Sequence, residues 1–329
     1  MKVTILKEAE IRSCVSLDMD AIDAVANGFS RMASGQASLP PVICVDVADN
    51  HGEVDIKTAY IQGLDYFAVK IASGFYDNPL AGLPYGSGLM IILSAKTGFV
   101  QALLLDNGYL TDLRTGLAGA IAARYLARQQ IESAGVIGSG TQARYQIKAL
   151  KLVRDFKRLY VYGIDPQQVD QYAHEMRSAL GVEVIVADHP EIVVRGSDVV
   201  VTTTPSRIPY LKAEWLHPGL HITCMGSDTE YKQELYADVL KSADRLVCDR
   251  IAQCARLGEL HHALEAGLIS VDDQISELGE LTSGRKPGRE YENEITVCDL
   301  TGVGVQDTVI ALLAYERALR KGLGNSIEV

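Results

Sequence analysis

The stretch Ala134-Gly-Val-Ile-Gly-Ser-Gly-Thr-Gln-Ala143 decides the fold, because an apolar strand runs directly into a glycine turn and a helix-forming segment. Such a turn leaves unpaired backbone N–H groups at the positive end of the helix dipole, where a pyrophosphate binds. Gly138 permits the tight turn, Gly140 lets phosphates approach the backbone, and Ala143 lets the helix pack closely on the strand. A second apolar strand, Leu159 to Gly163, completes a βαβ unit of about 30 residues. The stretch predicts a dinucleotide site; an unliganded βαβ turn is the alternative.

Strands and helices alternate from this stretch to Met225, which predicts a doubly wound parallel sheet with right-handed crossovers. Ligands of such sheets bind beyond the carboxyl ends of the strands. These ends are small or polar here: Gly138-Ser-Gly140, Gly163-Ile-Asp165, Thr202-Thr-Thr-Pro205 and Met225-Gly-Ser-Asp228. Met225 and Gly226 therefore join the glycine turn as candidate cofactor-binding residues.

Asp165 follows the glycine turn at about the 20-residue distance at which an acidic residue hydrogen-bonds the adenosine ribose and repels a 2′-phosphate. Gly163 occupies the strand end where that acid is usually found. No basic residue follows closely enough to indicate recognition of a 2′-phosphate. The sequence favours NAD(H) over NADP(H).

The first hundred or so residues follow a different pattern. Asp18 is a predicted N-cap of a helix with an apolar stripe that ends at Gly35. Strand segments then follow one another without a βαβ repeat, which predicts a separate α+β domain. The predicted strands are Val42 to Val47, Val54 to Tyr60, Tyr66 to Ala72 and Gly88 to Ser94.

Two lysines in these strands are candidate substrate-binding residues. Lys70 lies in the apolar segment Phe67-Ala-Val-Lys-Ile71, and Lys57 lies in Ile56-Lys-Thr58. Because side chains alternate between the two faces of a strand, a solvent-exposed face is the alternative for both.

Arg114 is a third candidate, at the start of a helix rich in Gly and Ala. Capping by Thr111 or Asp112 would place Arg114 in the first turn, where a cation opposes the helix dipole and an anionic partner makes the placement favourable. A salt bridge to Asp112 or another carboxylate is the alternative.

Asp228 lies at the end of the fifth parallel strand, towards the expected nicotinamide position. A partly desolvated carboxyl group there can exchange a proton with a substrate nitrogen. Capping of a helix that begins near Lys232 is the alternative.

Composition narrows the class of protein. The net charge of −11 argues against nucleic acid or an anionic membrane as the main partner. No uninterrupted apolar run reaches the roughly 18 residues of a membrane span, and the first residues lack a signal peptide's apolar core, so we expect a cytoplasmic protein. The six cysteines read as buried thiols. Cys248, Cys254, His261 and His262 fit no common zinc motif, so we expect no metal.

Five motifs in order resemble the ornithine cyclodeaminase/mu-crystallin family over almost the whole chain. They are the strand with Lys70, Asp112-Leu-Arg-Thr-Gly-Leu-Ala-Gly119, Gly138-Ser-Gly-Thr-Gln-Ala-Arg144, Met225-Gly-Ser-Asp-Thr-Glu-Tyr-Lys-Gln-Glu-Leu235 and Cys298-Asp-Leu-Thr-Gly-Val-Gly-Val-Gln-Asp307. Within the family, Asn107-Gly-Tyr-Leu-Thr-Asp112, Leu257-Gly-Glu-Leu-His-His262 and Glu294-Ile-Thr-Val-Cys-Asp-Leu-Thr-Gly302 resemble the ectoine-utilisation cyclodeaminase-like branch. The chain is more distantly similar to iminosuccinate reductase.

The resemblance implies a homodimer with an α+β domain built from both termini, residues 1–115 and 308–329, and a Rossmann domain, residues 116–307, that binds NAD(P). It implies that Lys70 and Arg114 hold the substrate carboxylate and that Asp228 is the acid/base. Further cofactor contacts are implied for Thr141 and Gln142 at the pyrophosphate, Thr203 near the nicotinamide, and Lys232 and Thr301 beside the cofactor.

Two departures from the family pattern bear on the activity. Val42 stands after Pro-Pro where many members carry an arginine, and Ile56 or Lys57 stands where the ornithine enzymes carry a glutamate that handles the amino substrate. The absence of that glutamate argues against ornithine cyclisation, and we expect NAD(P)H-dependent reduction of an α-imino acid. The resemblance to the ectoine-utilisation branch implies a role in ectoine or hydroxyectoine breakdown. A cyclodeaminase that releases ammonia is one alternative. A non-catalytic dinucleotide-dependent binding protein, as in mu-crystallin, is another.

Overall fold

The computed structural model describes residues 2–270 and 273–328. The chain divides into two compact units. The terminal unit contains the residues up to Arg114 and from Val303 onward, and the central unit is Thr115–Gly302. The division expected from sequence lies at 115/116 and 307/308, whereas Thr115 belongs to the central unit and residues 303–307 belong to the terminal unit.

Sixteen strands and eleven α-helices form within the described residues. The strands are β1 (Lys2–Lys7), β2 (Ala37–Ser38), β3 (Ile43–Val47), β4 (Gly52–Ile61), β5 (Tyr66–Phe75), β6 (Gly86–Ser94), β7 (Val100–Leu105), β8 (Ser133–Ile137), β9 (Arg158–Tyr162), β10 (Glu183–Val186), β11 (Val199–Thr202), β12 (His221–Cys224), β13 (Arg245–Cys248), β14 (Ile275–Glu277), β15 (Thr296–Asp299) and β16 (Asn325–Glu328). The helices are α1 (Glu8–Cys14), α2 (Met19–Ala33), α3 (Tyr109–Leu126), α4 (Thr141–Val153), α5 (Pro166–Leu180), α6 (Pro190–Gly196), α7 (Ala237–Lys241), α8 (Ile251–Leu257), α9 (Glu259–Glu265), α10 (Leu278–Thr282) and α11 (Gly304–Arg320).

The terminal unit is built on a mixed sheet of order β16-β1-β7-β6-β5-β4-β2, with β3 paired to β4. β4 to β7 pair antiparallel with their neighbours, whereas β1 and β7 are parallel. The apolar stripe of α2, with Ile22, Val25 and Phe29 fully buried, packs against α11. The two ends of the chain thus complete one α+β unit.

The central unit is built on a sheet of order β10-β9-β8-β11-β12-β15-β13-β14, in which each pair is parallel. The chain moves outward from β8 through β9 to β10, and then returns to β11 and β12 on the other side of β8. This reversal of direction at β8 defines a doubly wound Rossmann sheet and puts the glycine turn at the topological switch point. The predicted fold class is confirmed.

The start of α3 differs from the expectation for the helix that carries Arg114. α3 begins at Tyr109, so the prediction that Thr111 or Asp112 caps it is wrong. Asp106 lies before the helix, and its carboxylate accepts the Leu110 N–H at 2.7 Å. Arg114 lies in the second turn as a result.

None of the helices formed by residues 2–270 and 273–328 is both long enough and apolar enough to cross a membrane.

Candidate functional site

The glycine turn of the central unit has the conformation that its sequence requires. Gly138 has φ +107°, which disfavours other residues, and a Cβ atom there would lie 2.5 Å from Thr203 Oγ1. Thr203 at the end of β11 donates its backbone N–H to the Ile137 carbonyl at 2.8 Å. Gly138 therefore brings the turn against Thr203, one of the candidate cofactor residues.

Gly140 leaves space over the amino terminus of α4. It is the residue before the helix, with φ −82°, and a Cβ atom there would meet nothing within 4 Å. Thr141 and Gln142 form the first turn of α4, and Arg144 braces the turn by donating to the Ser139 and Gly140 carbonyls at 2.6 and 3.1 Å. An open turn at the positive end of a 13-residue helix fits the pyrophosphate of a dinucleotide.

Asp165 caps helix α5 with its carboxylate. Oδ1 accepts the N–H groups of Gln167 and Gln168 at 2.9 and 3.3 Å, and Oδ2 accepts the Gln168 side chain at 2.9 Å. The residue follows β9, the neighbour of β8, so it lies at the expected edge of the sheet. A local capping role therefore accompanies the predicted ribose contact.

Asp228 lies in a loop between β12 and α7 and is paired with a second predicted residue. Its Oδ1 is 2.7 Å from Lys232 Nζ, and the Asp228 side chain is 46% exposed whereas that of Lys232 is buried. Residues 226–236 contain no helix, so the alternative that Asp228 caps a helix near Lys232 is wrong. The structure thus presents an accessible carboxylate beside a buried ammonium group.

The remaining predicted residues of the central unit lie at the same strand ends. Met225 donates its N–H to the Thr202 carbonyl at 3.1 Å, and Gly226 follows it. Thr301, after β15, is buried and donates its hydroxyl to Asp249 Oδ1 at 3.2 Å.

Lys70 and Arg114 meet at one carboxylate in the terminal unit. Asp307 is fully buried, with Oδ2 at 3.5 Å from Lys70 Nζ and Oδ1 at 3.0 Å from Arg114 Nε. Arg114 also donates to Gln306 Oε1 at 3.3 Å. The salt bridge considered for Arg114 exists, with Asp307 as its carboxylate.

The solvent-exposed alternative for the two lysines is wrong. Lys57 and Lys70 are opposite each other in the register of β4 and β5, and only 7% and 2% of their surfaces are exposed. Burial lowers the pKa of Lys70 to about 7, with Asp307 acting against that shift and the charges of Arg114 and Lys57 adding to it. Burying several cations close together is unfavourable unless carboxylates or a bound anion balance their charge.

Asp307 is the site residue that sequence reasoning missed. It ends the motif Cys298 to Asp307, but its partners are remote in sequence and no local pattern identifies them. Thr308, the next residue, donates its hydroxyl to the Ala59 carbonyl at 2.7 Å and accepts the Ala68 N–H at 3.2 Å. These bonds fix the start of α11 on β4 and β5 and bring Asp307 to Lys70.

The cysteines considered as metal ligands are buried thiols. Burial raises the pKa of Cys254 well above its ordinary value, and the thiol lies 3.2 Å from Asp249 Oδ1, to which it donates. The sulfurs of Cys248 and Cys254 lie within 4.8 Å of each other and of an Asp299 oxygen, whereas His261 and His262 form a separate group with Glu265. The four residues therefore belong to two separate groups of potential ligands.

The model of the ornithine cyclodeaminase/mu-crystallin family matches residues 1–322. A putative dehydrogenase of Rhizobium meliloti is 48% identical over 327 residues, which cover 99% of each chain. An uncharacterized cyclodeaminase of Sinorhizobium fredii is also 48% identical, over 98% of each chain.

Three solved structures are similar over nearly their entire lengths. An archaeal alanine dehydrogenase dimer with bound NAD is 38% identical, with a TM-score of 0.93, and the match covers 100% of this chain and 99% of that one. Thermococcus litoralis Δ1-pyrroline-2-carboxylate reductase, in complex with NADH and L-proline, is 30% identical at TM-score 0.93, with coverages of 99% and 100%. Iminosuccinate reductase of Paracoccus denitrificans, in complex with NAD+, is 29% identical at TM-score 0.91, and both chains are covered completely.

Proposed function

The chain belongs to the ornithine cyclodeaminase/mu-crystallin family, and from this premise we propose that it is an NAD(P)H-dependent enzyme that reduces an α-imino acid to the amino acid. The observation that carries the proposal is the buried Lys70–Asp307–Arg114 cluster, in a chain that also has an open dinucleotide turn. Two of the similar structures are named as reductases of such compounds, Δ1-pyrroline-2-carboxylate and iminosuccinate, and the first was solved with NADH and L-proline.

The cluster supports binding of the substrate carboxylate. With Lys70 protonated, Lys70 and Arg114 place two positive charges at the Asp307 carboxylate, beside Lys57, and we propose that an α-carboxylate adds negative charge there. The Arg114 guanidinium offers a fork of donors that matches a carboxylate, and fixing the substrate lowers the entropic cost of reaction. Lys57, opposite Lys70, is proposed as a third substrate contact in place of the arginine that Val42 replaces.

Asp228 is the proposed proton donor. When bound, the nicotinamide supplies a hydride to the imine carbon. Asp228, protonated or through a water that it holds, delivers the proton to nitrogen, so one imine and one reduced cofactor yield one amino acid. Lys232, at 2.7 Å from Asp228 Oδ1, orients that carboxyl group.

The central unit supports a preference for NADH. Gly138, Gly140, Thr141 and Gln142 are proposed to hold the pyrophosphate, and Asp165 the ribose. Thr203, Met225, Gly226, Lys232 and Thr301 complete the proposed cofactor contacts. A carboxylate at Asp165 repels the 2′-phosphate of NADPH.

We place the reaction in ectoine or hydroxyectoine breakdown, on the resemblance of the motifs at Asn107, Leu257 and Glu294. A dehydratase or lyase that eliminates a β-substituent from a hydroxy amino acid generates such an imine. The present chain would reduce that imine to the amino acid. We also propose a homodimer, which the dimeric archaeal relative supports.

The test is the loss of reduced-nicotinamide absorbance with purified protein, NADH or NADPH, and α-keto acids plus ammonia or cyclic ketimines. Oxidation that needs both carbonyl and amine, and that falls at least about a hundredfold in Arg114→Ala and Asp228→Asn, supports the proposal. An Arg317→Ala variant, which alters an arginine paired with Asp18 and Asp20, should retain activity.

Other outcomes identify the alternatives. Ammonia release from a diamino acid, with NAD present and no net cofactor consumption, would show a cyclodeaminase, the activity named for the Sinorhizobium relative. Tight binding of NADH or NADPH, with neither imine reduction nor ammonia release, would show a non-catalytic binding protein.

A further inference from the structure

Glu234 lies at the end of the loop that carries Asp228, and the proposed mechanism does not use it. Its carboxylate is nevertheless fully buried, beside the carboxyl ends of β11 and β12. Its Oε1 accepts the Thr204 N–H at 2.6 Å, the Thr204 hydroxyl at 2.7 Å and the Tyr210 hydroxyl at 2.8 Å. Its Oε2 accepts the Thr202 hydroxyl at 2.6 Å and the Gly226 N–H at 2.9 Å. The carboxylate thus joins the carboxyl ends of β11 and β12.

The loop that carries Asp228 is closed by this side chain. The loop follows β12, which ends at Cys224, and runs from Gly226 to Glu234, so the hydrogen bond between these two residues fastens its neck. A Cβ atom at Gly226 would lie 2.5 Å from Glu234 Oε2 and would overlap the Thr204 carbonyl. Glycine is therefore required for the carboxylate to reach the backbone.

Further contacts hold Glu234 itself. Its backbone N–H and that of Leu235 donate to the carboxylate of Glu259 at 2.7 and 3.2 Å, and its carbonyl accepts the Tyr210 N–H at 2.9 Å. Burial raises the pKa of Glu234, while the hydrogen bonds that it accepts oppose that shift. Removing this carboxylate from water is unfavourable. The five hydrogen-bond donors compensate for the lost hydration only while the carboxyl ends of β11 and β12 keep their positions.

We propose that Glu234 is a positioning residue, which sets the Asp228 loop against the strand end that carries Thr203. The proposal rests on the proposed function, because it assigns Glu234 to the acid/base of that reaction. The loop within the neck has its own bonds: Ser227 donates its hydroxyl to the Lys232 carbonyl at 2.6 Å, and Lys232 pairs with Asp228. Loss of the neck contact would shift this loop as a body and move Asp228 from its productive position.

The variant Glu234→Gln isolates the neck contact. If the amide oxygen takes the place of Oε1, the three hydrogen bonds to Oε1 remain. The amide NH2 group then takes the place of Oε2, and the Thr202 hydroxyl can rotate to accept from it. The Gly226 N–H alone faces another donor, so only its hydrogen bond is lost. Tyr210→Phe is the matched control, because it removes one donor from Oε1 and leaves the Gly226 contact intact.

We expect Glu234→Gln to lower kcat about tenfold to a hundredfold, with the NADH dissociation constant and the substrate KM changed by less than about threefold. Amide hydrogen exchange of residues 227–233, measured by mass spectrometry with NADH bound, should accelerate at least about tenfold. Tyr210→Phe should stay near the wild type in both measurements. An unchanged kcat or an unchanged exchange rate in Glu234→Gln would overturn the proposal. Losses of kcat and NADH affinity that are the same in Glu234→Gln and Tyr210→Phe would also overturn it.

The exchange measurement separates this proposal from the proposed function. If the wild type reduces no imine, the proposed function fails, and exchange in residues 227–233 still decides whether Glu234 fixes the loop. If the wild type is active and only the Glu234→Gln results are negative, the positioning role alone fails.

Discussion

Lys70 shows at the scale of one residue how burial changes the chemistry of a side chain. Strand alternation leaves its face undecided, but the structure places it on the same buried face as Ala68, opposite Lys57. The charges of Asp307 and Asp55 do not compensate for the loss of hydration, since the pKa of Lys70 falls to about 7. The charge of the proposed carboxylate site therefore changes near neutral pH.

We expect the affinity for a substrate-like carboxylate to fall as pH rises through about 7. Above that pH Lys70 is neutral in the free protein, so binding of an anion requires protonation of Lys70. The affinity then falls by up to about tenfold per pH unit. Titration with a 2-hydroxy acid, which does not ionise further between pH 6 and 8, measures this. Lys70→Arg should remove the dependence, because guanidinium stays protonated. A pH-independent affinity in the wild type would contradict the lowered pKa.

The same shift acts on stability with the opposite sign. The folded-state pKa, about 7, lies below the ordinary value of 10.5, so the unfolded chain binds more protons between these values. The contribution of Lys70 to the unfolding free energy then rises with pH from about 7 to about 10. Denaturant titrations at pH 7 and pH 9 should show a larger rise for the wild type than for Lys70→Met.

At the scale of elements, the turn between β8 and α4 separates two roles of glycine. Its first glycine is required by the fold and its second by the expected ligand, because Gly138 has a positive φ and close contact with Thr203, whereas Gly140 has neither constraint. The sequence motif predicts the same division, with Gly138 for the tight turn and Gly140 for the approach of phosphates.

We expect Gly138→Ala to destabilise the protein by about 1–3 kcal/mol through strained backbone and the contact with Thr203. Gly140→Ala should leave the unfolding free energy within about 0.5 kcal/mol and weaken NADH binding at least about tenfold, because the methyl group occupies the space for phosphate. Denaturant unfolding without cofactor and NADH fluorescence titration measure the two effects. Equal loss of stability in both variants would contradict this division of roles.

The N-terminal cap of α3 is another element that has a measurable pH dependence. Burial raises the pKa of Asp106 to about 6, although the Leu110 N–H donates to it. The folded state then binds more protons than the unfolded chain between pH 3.8 and about 6, so this carboxyl group lowers stability as pH rises through that window.

Asp106→Asn should therefore stabilise the protein by about 1–2 kcal/mol at pH 8. The amide retains an oxygen to accept the Leu110 N–H and carries no charge. The gain should disappear near pH 4, where the wild-type carboxyl group is protonated. Chemical denaturation at the two pH values gives the comparison, and destabilisation at pH 8 would show that the charge itself stabilises the cap.

At the scale of the whole molecule, the proposed homodimer needs an apolar surface on the terminal unit. Strand β3 offers one, since Ile43 and Val45 are 58% and 48% exposed. We expect these two apolar side chains to form part of the surface that the second chain covers.

We expect the wild type to be dimeric by light scattering and the double variant Ile43→Lys, Val45→Lys to be at least partly monomeric at micromolar concentration, because charges in an apolar interface oppose association. Ile208→Lys in the central unit, which alters a side chain that is 75% exposed, is the matched control and should remain dimeric. A dimeric double variant would exclude β3 from the interface.

Local pattern was sufficient for much of the central unit. The apolar strand, the glycine turn and the helix after it lie within about 20 residues, and φ constraints and hydrophobic periodicity act over that range. The parallel sheet followed from repetition of the same βαβ unit. The start of α3 was missed, since Asp106 competes with Thr111 and Asp112 as a cap and local sequence does not rank them.

The sequence by itself determined the Rossmann turn, the candidates Lys70, Arg114 and Asp228, and the family. Only the tertiary structure decided that Lys70 and Arg114 share Asp307, and that Glu234 fastens the loop of Asp228. Arg114 and Gln306 are 192 positions apart, and their contact exists because Thr308 docks α11 on β4 and β5. Buried charges are compensated by whichever groups packing brings to them, and packing between distant segments leaves no periodic signal in the chain.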